Sequence, residues 1–154
     1  MTPSSGVRLF PPVALDLVLD HPSRTLDTGR LLCALAALLD GEGRAAEDVT
    51  LVLTDHATVR ELNAEYLRHD YDTDVLSFWL GDEDAPEDAP LVGEVYVDLD
   101  TAAERCAEFG TDYEAEAVRY ALHGTLHLCG YDDATPEEKA EMHRLEDRYL
   151  AALG

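Results

Sequence analysis

Two hydrophobic periods alternate along the chain, and their order predicts the secondary structure. Period-two or continuous apolar runs predict four strands, at residues 13–19, 48–54, 75–80 and 93–99. Apolar residues at helical spacing predict about five helices, at residues 26–39, 54–66, 98–109, 112–129 and from 135 onward. The order β, α, β, α, β, β, α, α, α predicts an α/β (α+β) fold, in which the helices pack on a small mixed four-stranded sheet.

Residues that start and stop helices support these boundaries. Ser23 or Thr25 is expected to cap the first helix. Thr135 and Glu138 match a capping box, with proline between them in the first turn, which predicts the start of the last helix. The acidic, proline-containing stretch 81–90 has neither period, so it is expected to be an exposed loop.

The length of the chain indicates one domain. A chain of 154 residues can bury about two thirds of its unfolded surface around a single core. We expect the polar, proline-bearing residues 1–12 to form a flexible tail and residues 13–154 to form the domain. Neither a leader pattern nor an apolar run of about 20 residues is found, so a cytoplasmic protein without a membrane span is expected.

Residues 121–133, ALHGTLHLCGYDD, are the stretch in which chemically active side chains recur at a meaningful spacing. His123 and His127 are four residues apart, so on a helix their imidazoles lie on one face and could bind one metal ion, as in zincins. Gly130 can end the helix in a left-handed conformation, which would let one of the next residues reach that ion. The alternative is a polar patch, but the segment is otherwise apolar, and a buried imidazole needs a partner. The pattern therefore predicts a site with the ligands His123, His127 and Asp133 and a fourth position left to water.

Gly124 separates this stretch from the HExxH motif of metallopeptidases, which has a glutamate base at that position. Glycine inside a helix costs about 1 kcal/mol relative to alanine, and it is tolerated more readily where another segment approaches the backbone closely. We therefore expect close packing at Gly124 and no proteolytic base there.

The segment HGTLHLCGYD, residues 123–132, resembles the signature of the YbeY family, metal-dependent endoribonucleases that act in ribosomal RNA maturation. The resemblance extends to two upstream blocks and to the last helix, and it covers most of the chain from about Val13. The residues of those blocks that match the family are Leu62, Asn63, Tyr66, Thr73, Asp74, Val75, Leu76, Ser77, Phe78, Gly93, Glu94, Val95, Met142, Leu145 and Glu146.

Two residues depart from the pattern of that family. Asp133 stands where the family has a third histidine, so a bound zinc ion would keep less net positive charge and would acidify its water less. Leu67 stands where many members carry an arginine that is thought to serve catalysis, and the adjacent Arg68 would point elsewhere. The resemblance therefore implies the metal site but not the catalytic arginine.

The resemblance implies a zinc-dependent, single-strand-specific endoribonuclease that acts in small-subunit ribosomal RNA 3′-end processing and ribosome quality control. One Zn²⁺ per chain is expected, or another divalent metal, to polarise a phosphoryl oxygen and to lower the pKa of a water molecule. Two candidates for the general base stay open. One is the metal-bound hydroxide itself, and the other is a carboxylate of the upstream block that contains Thr73–Phe78, for which Asp74 is the candidate. RNA of the small ribosomal subunit is the expected partner, with no DNA and no membrane. Its candidate contacts are Arg60, Arg68, His69 and Arg119.

The net charge argues against a polyanionic substrate. Thirty-three acidic and eleven basic residues give a formal net charge of −22, and Lys139 is the only lysine. Such a surface fits a protein that works in concentrated salt, where a Debye length of about 3 Å at 1 M screens the repulsion. Ordinary acidic solubility is the alternative explanation.

Two other functions are compatible with the sequence. A metallopeptidase-like hydrolase also uses two helical histidines and a later ligand, although the missing glutamate argues against it. A non-catalytic, zinc-stabilised module that binds the ribosome would complete the tetrahedron with a fourth protein ligand, for which Cys129 or His143 is available. The coordination number of the metal would separate these functions from the nuclease.

Overall fold

The computed structural model describes residues 6–7, 14–66 and 74–153, which form one mixed sheet with helices packed on it. The strands are β1 (Gly6–Val7), β2 (Leu15–Asp20), β3 (Ala46–Thr54), β4 (Val75–Trp79) and β5 (Leu91–Asp98). The helices are α1 (Thr28–Glu42), α2 (His56–Tyr66), α3 (Leu99–Phe109), α4 (Tyr113–Leu128) and α5 (Pro136–Leu150), with a 3-10 turn at Ala151–Leu153. The predicted α/β fold class is confirmed, and the four predicted strands and five predicted helices are all present.

The sheet has the strand order β1-β2-β3-β5-β4. The three central strands, β2, β3 and β5, run parallel, whereas β1 pairs with β2 and β4 pairs with β5 in antiparallel fashion. The two-residue β1 is an addition to the predicted sheet, and it lies within the stretch that the sequence assigns to a tail. Two residues carry no periodic signal, so this pairing could not be predicted from the pattern.

The core lies where α4 covers the centre of the sheet. Alternate residues of β3 and β5, such as Leu51, Leu53, Val95 and Val97, are fully buried, as the period-two pattern of these strands predicts. The helix α4 packs on β4 and β5, and most of its residues are buried. The histidine-bearing helix is therefore held rigidly against the sheet.

At Gly124, α4 lies very close to the sheet. A Cβ atom on this residue would lie 2.5 Å from Cγ1 of Val95 and 2.8 Å from Cγ2 of Val75, on the strands beneath the helix. Ser77 donates its hydroxyl to the carbonyl oxygen of Gly124 at 2.7 Å. The expected close packing is confirmed, and the HExxH glutamate would have no room at this position.

The caps of α5 and α1 differ in how well the sequence predicts them. Thr135 and Glu138 exchange hydrogen bonds with each other's backbone N–H groups, which confirms the capping box. Asp27, rather than Ser23 or Thr25, caps α1, because its carboxylate accepts two N–H groups of the first turn. That prediction was wrong because Asp27 lies inside the apolar run that was assigned to the helix.

The acidic loop between β4 and β5 is mostly exposed, as predicted. Arg44 connects this loop to the end of α4, since its guanidinium donates to the carbonyl oxygens of Ala89 at 2.8 Å and Cys129 at 2.9 Å. Across the ranges that the structure describes, no helix is both long enough and apolar enough to span a bilayer.

A polar cluster lies at the carboxyl ends of the parallel strands. Asp98, the last residue of β5, is completely buried, and Oδ2 of its carboxylate lies 2.6 Å from Nδ1 of His56. The same carboxylate accepts the backbone N–H of Thr101 at 2.8 Å and the Thr101 hydroxyl at 2.7 Å. These bonds join the start of α2 to the start of α3.

Asp100 extends this cluster to the loop after β2. It accepts hydrogen bonds from the backbone N–H of His56 at 3.0 Å and from Nε of Arg24 at 2.8 Å. Nε2 of His21 also donates to it at 2.8 Å, because the other ring nitrogen of His21 accepts two backbone N–H groups and so carries no proton. Burial alone would raise the pKa of Asp100, but these hydrogen bonds outweigh it and lower the pKa to about 2.

Candidate metal site

The three predicted ligands converge at the end of α4. Nε2 of His123 lies 3.1 Å from Nε2 of His127 and 3.1 Å from Oδ2 of Asp133. Nε2 of His127 lies 3.6 Å from the same carboxylate oxygen. Two imidazole nitrogens and one carboxylate oxygen within 4.8 Å of one another form a set that could hold a single metal ion.

Gly130 allows the chain to return Asp133 to the histidines. Its φ of 104° lies in the region that favours glycine. The backbone N–H groups of Gly130 and Tyr131 donate to the carbonyl oxygens of His127 and Leu126, at 3.0 and 3.1 Å. Because these bonds close the turn directly after the helix, Asp133 reaches the ligand set three residues later.

The other ring nitrogen of each histidine is held by the protein. Nδ1 of His127 donates to the carbonyl oxygen of Tyr131 at 2.9 Å, and Nδ1 of His123 lies 2.7 Å from Oε2 of Glu146. Since a carbonyl and an ionised carboxylate can only accept, the Nδ1 atoms carry protons, and in the neutral rings each Nε2 carries the lone pair that a metal would take. Metal-binding histidines in proteins are oriented in this way.

Glu146 is the buried carboxylate that orients His123. It is 3 % exposed and also accepts a hydrogen bond from Nη1 of Arg119 at 3.0 Å. Burial acts to lower the pKa of His123, but the hydrogen bond and the charge of Glu146 raise it by more, so the ring is basic. Arg119 is therefore engaged with Glu146, and with Asp147 at 2.5 Å, in addition to facing the cavity beside the triad.

A second, half-buried connection holds the carbonyl group that orients His127. Tyr131 donates its hydroxyl to Oε1 of Glu42 at 2.6 Å, and Tyr149 donates to the other oxygen of the same carboxylate. The hydrogen bond to Glu42, together with burial, raises the pKa of Tyr131 to about 12, so the hydroxyl remains a donor at neutral pH. The helices α1 and α5 thus both help to fix the turn after α4.

The described residues supply three ligands to the candidate site. Among the residues that the structure describes, the group that could hold an ion consists of the triad alone and includes neither Cys129 nor His143. Burial raises the pKa of the Cys129 thiol to about 11, which disfavours the thiolate that a metal needs. His143 is largely exposed on α5, with Nδ1 3.8 Å from Oε1 of Glu146.

Asp74 lies in the same cavity as His123, just before β4. Burial raises the pKa of its carboxyl group above the usual value, although the charge of His123 opposes this effect. Its backbone carbonyl oxygen accepts the N–H of Asp98 at 3.0 Å, which fixes it at the start of the strand.

Comparison with known proteins assigns the family. The family model described as Endoribonuclease YbeY matches residues 30–154. A curated Endoribonuclease YbeY from Salinibacter ruber is 53% identical over 146 residues, which are 92% of this chain and 93% of that protein. The chain belongs to the YbeY family. A second relative of that name, from Chlorobium luteolum, is 40% identical over 84% of this chain and 91% of its own length.

A solved structure agrees with the YbeY fold found here. The solution structure of a protein from Thermotoga maritima is similar with a TM-score of 0.60 and 26% sequence identity. The match covers 89% of this chain and 88% of that one. The family model and the curated relatives confirm the resemblance to the YbeY family over most of the chain.

The predicted RNA contacts of this YbeY member lie in different places. Arg119 lines the cavity of about 490 Å³ beside the triad, between α3, α4 and α5. Arg60 is exposed on α2 and is not among the described residues of that cavity. Arg68 and His69, like Leu67, lie outside the described residues.

Two basic residues of the same cavity were missed by the sequence analysis. Arg105 lies on α3 and Lys139 on α5, and both line the space that His123 and Asp133 face. Neither residue belongs to a motif. The only signal in the sequence is that basic residues are rare, since the chain has eleven in all. Their placement beside the triad is a result of the tertiary structure.

Proposed function

We propose that this chain is a zinc-dependent endoribonuclease that cleaves single-stranded RNA in small-subunit ribosomal RNA 3′-end processing and in ribosome quality control. The observation that carries the proposal is the convergence of the His123 and His127 Nε2 atoms with the Asp133 carboxylate, in a member of the YbeY family. The relatives named Endoribonuclease YbeY support RNA as the substrate. The ribosomal step follows from the family resemblance.

The donor set fits zinc. Two imidazole nitrogens and a carboxylate oxygen are ligands that catalytic zinc sites use, with a further position left to water or substrate. When bound, the metal supplies Lewis-acid polarisation of a phosphoryl oxygen and a water of lowered pKa. Glu146 and the Tyr131 carbonyl hold the two rings in the orientation that directs both Nε2 lone pairs to one point.

Asp74 is the proposed general base. Its carboxyl group lines the cavity with His123, and its raised pKa brings it closer to the pH at which a base works efficiently. In its ionised form it would accept the proton of the attacking water, and it could then return that proton to the leaving oxygen. This assignment predicts that Asp74→Asn lowers the rate of cleavage while metal content stays at one ion per chain.

A metallopeptidase is less well supported because the position of its base is occupied by the sheet. The Cβ of any residue larger than glycine at position 124 would overlap Val95 and Val75. A glutamate could therefore not be placed there without moving α4 off the strands. The triad is compatible with hydrolysis, but not with the HExxH arrangement.

The test is cleavage of a labelled single-stranded RNA, measured as initial rate at fixed metal over a series of KCl concentrations. We expect chelation to abolish cleavage and zinc to restore it, with the His123→Ala protein as the blank for contaminating nuclease. If repulsion by the net charge of −22 dominates, the rate rises toward about 1 M KCl before it falls, because salt screens that repulsion. Equal rates for the wild type and the blank would reject the nuclease, whereas a steady fall from low salt would reject only the adaptation to salt.

A further inference from the structure

A groove leads away from the triad along α4. Its floor on this helix is formed by Glu116, Arg119, Tyr120 and His123, whose spacing of three, four and seven residues places them on one face. At 1.5 Å per residue this row is about 10 Å long, and His123 of the triad stands at one end. The helices α3 and α5 form the two walls.

Each wall carries a cation that takes part in no ion pair among the described residues. Arg105 on α3 and Lys139 on α5 are exposed, and neither forms an ion pair within 4.0 Å with any described residue. Arg119 differs from them because Glu146 and Asp147 bind its guanidinium. In a chain with three times as many acids as bases, two cations that line one groove outside any ion pair of the described residues favour an anionic ligand.

The carboxylates of the groove are only partly available to oppose such a ligand. Glu146 is bound by Arg119 and His123, and Asp133 belongs to the triad. Asp74 has a raised pKa because it is buried, and Glu116 lies at the end of the row that is farther from His123. A divalent ion at the triad would add positive charge to the groove.

An aromatic ring lies beside these cations. Phe109 lines the groove and is 61% exposed, so its ring is accessible to a ligand. It follows Arg105 by four residues on α3, so the two side chains lie on the same face of the helix. Sites for single-stranded nucleic acid combine a basic groove with an aromatic ring on which a base stacks.

The cavity on the other side of His127 has the opposite character. Its volume is about 640 Å³, and its described lining includes five carboxylates, those of Glu42, Asp82, Glu83, Glu87 and Asp88. Its arginine, Arg44, is held by two backbone carbonyl groups. Its carboxylates would repel a polyanion such as RNA, so the RNA strand is expected in the groove between α3 and α5 and not in this cavity.

We propose that the groove between α3 and α5 binds the nucleotide next to the scissile phosphate, with Arg105 and Lys139 on its phosphate and Phe109 stacked on its base. The inference rests on the proposed function in taking single-stranded RNA as the substrate. It gives to Arg105 and Lys139 the role of binding the anionic phosphate of that nucleotide.

The experiment measures binding separately from cleavage. Metal-loaded wild-type protein and the variants Arg105→Ala, Lys139→Ala and Phe109→Ala are titrated into a fluorescent 2′-O-methyl oligouridine, and anisotropy gives Kd. Gel analysis after each titration checks that the probe is intact. Arg148→Ala is the matched control, because it removes the same charge from an exposed site on α5 outside the groove. The melting temperature of each variant verifies folding.

We expect each groove variant to raise Kd about tenfold, the size of one charged contact or one stacked base. Relative to Arg148→Ala, the two cation variants should also lower the slope of log Kd against log KCl by about 0.7, the value for one phosphate contact on a single strand. The control should leave Kd near that of the wild type.

The outcomes separate this inference from the proposed function. The groove is overturned as the binding site if Arg148→Ala weakens binding of the probe as much as Arg105→Ala does. It is also overturned if the groove variants leave Kd unchanged, even if the protein cleaves RNA. A wild type that does not bind the probe overturns it as well. Graded loss of binding in a protein that cleaves no RNA supports the groove and rejects the nuclease.

Discussion

Two clusters of histidines and carboxylates in this molecule are built from the same residue types but differ in which atoms remain available. At the triad, the protein holds Nδ1 of His123 and His127, and both Nε2 atoms face Asp133. At the carboxyl ends of the strands, His21 uses one ring nitrogen to accept two backbone N–H groups and the other to donate to Asp100. The first cluster directs lone pairs to a common point, and the second uses its groups to join secondary structure elements.

The difference shows that residue type alone does not mark a functional site. Asp98 and Glu146 are both buried carboxylates in contact with a histidine, at 2.6 and 2.7 Å. Asp98 also caps α3 through Thr101, whereas Glu146 orients a ring whose second nitrogen faces the cavity. Variants of the two clusters should therefore affect metal content and stability in different proportions.

The largest effect is expected at the triad histidines. His123→Ala or His127→Ala should remove the one metal ion per chain and lower the melting temperature, because a metal that binds only the folded state stabilises it. His56→Ala, from the other cluster, should keep the metal. Elemental analysis of the three purified proteins decides, and undiminished metal in both triad variants would contradict the assignment.

The second largest effect on metal binding is expected at Asp133. Asp133→Ala should weaken zinc binding substantially, and Asp133→His should retain zinc through a site with three histidines. Asp132→Ala is the matched control, since Asp132 is exposed and does not belong to the ligand set. Zinc affinity is measured by competition with a chromophoric chelator. Control of the affinity by Asp132 instead would show that the turn after Gly130 is placed wrongly.

Glu146→Gln should lower the affinity for the metal by a smaller amount, because Glu146 acts on the metal only through His123. Loss of the carboxylate removes the charge that keeps this ring basic, and partners of this kind contribute about 10- to 100-fold to metal affinity. Asp147→Asn is the control, because Asp147 also binds Arg119 but does not contact either histidine of the triad. The same chelator competition compares the two variants, and equal losses would show that Arg119, rather than the His123 contact, is responsible.

The smallest effect on the metal is expected at Asp100, where stability should change instead. The folded-state pKa of about 2 lies below the ordinary value of 3.8, so this carboxylate stabilises the fold above about pH 4. The contribution is lost as the pH falls through 2. Asp100→Asn should cost about 1 kcal/mol at pH 7, since the group is partly exposed.

Thermal unfolding of the wild type and of Asp100→Asn between pH 7 and pH 2 measures this difference in stability. The difference between their melting temperatures should close as the pH falls, while their metal contents at pH 7 stay equal. A gap that is constant with pH would mean that the ionised carboxylate is not the source of the stabilisation.

Local signals were sufficient for the parts of the molecule that depend on neighbours in the chain. The helical spacing of His123 and His127, the glycine that ends α4 and the capping box of α5 are each set by residues within a few positions of one another. The alternation in β3 and β5 likewise predicted which of their side chains are buried. These features depend on backbone geometry that a short segment determines by itself.

The sequence by itself therefore determined the order of the elements, the family and the three converging side chains, whereas tertiary structure decided what surrounds them. Glu146 reaches His123 from 23 residues away, and His21 reaches Asp100 across 79 residues. Arg105 and Lys139 line one cavity because α3 and α5 both pack against α4. Such contacts depend on the angles and distances between packed elements, which no periodic pattern within one element encodes.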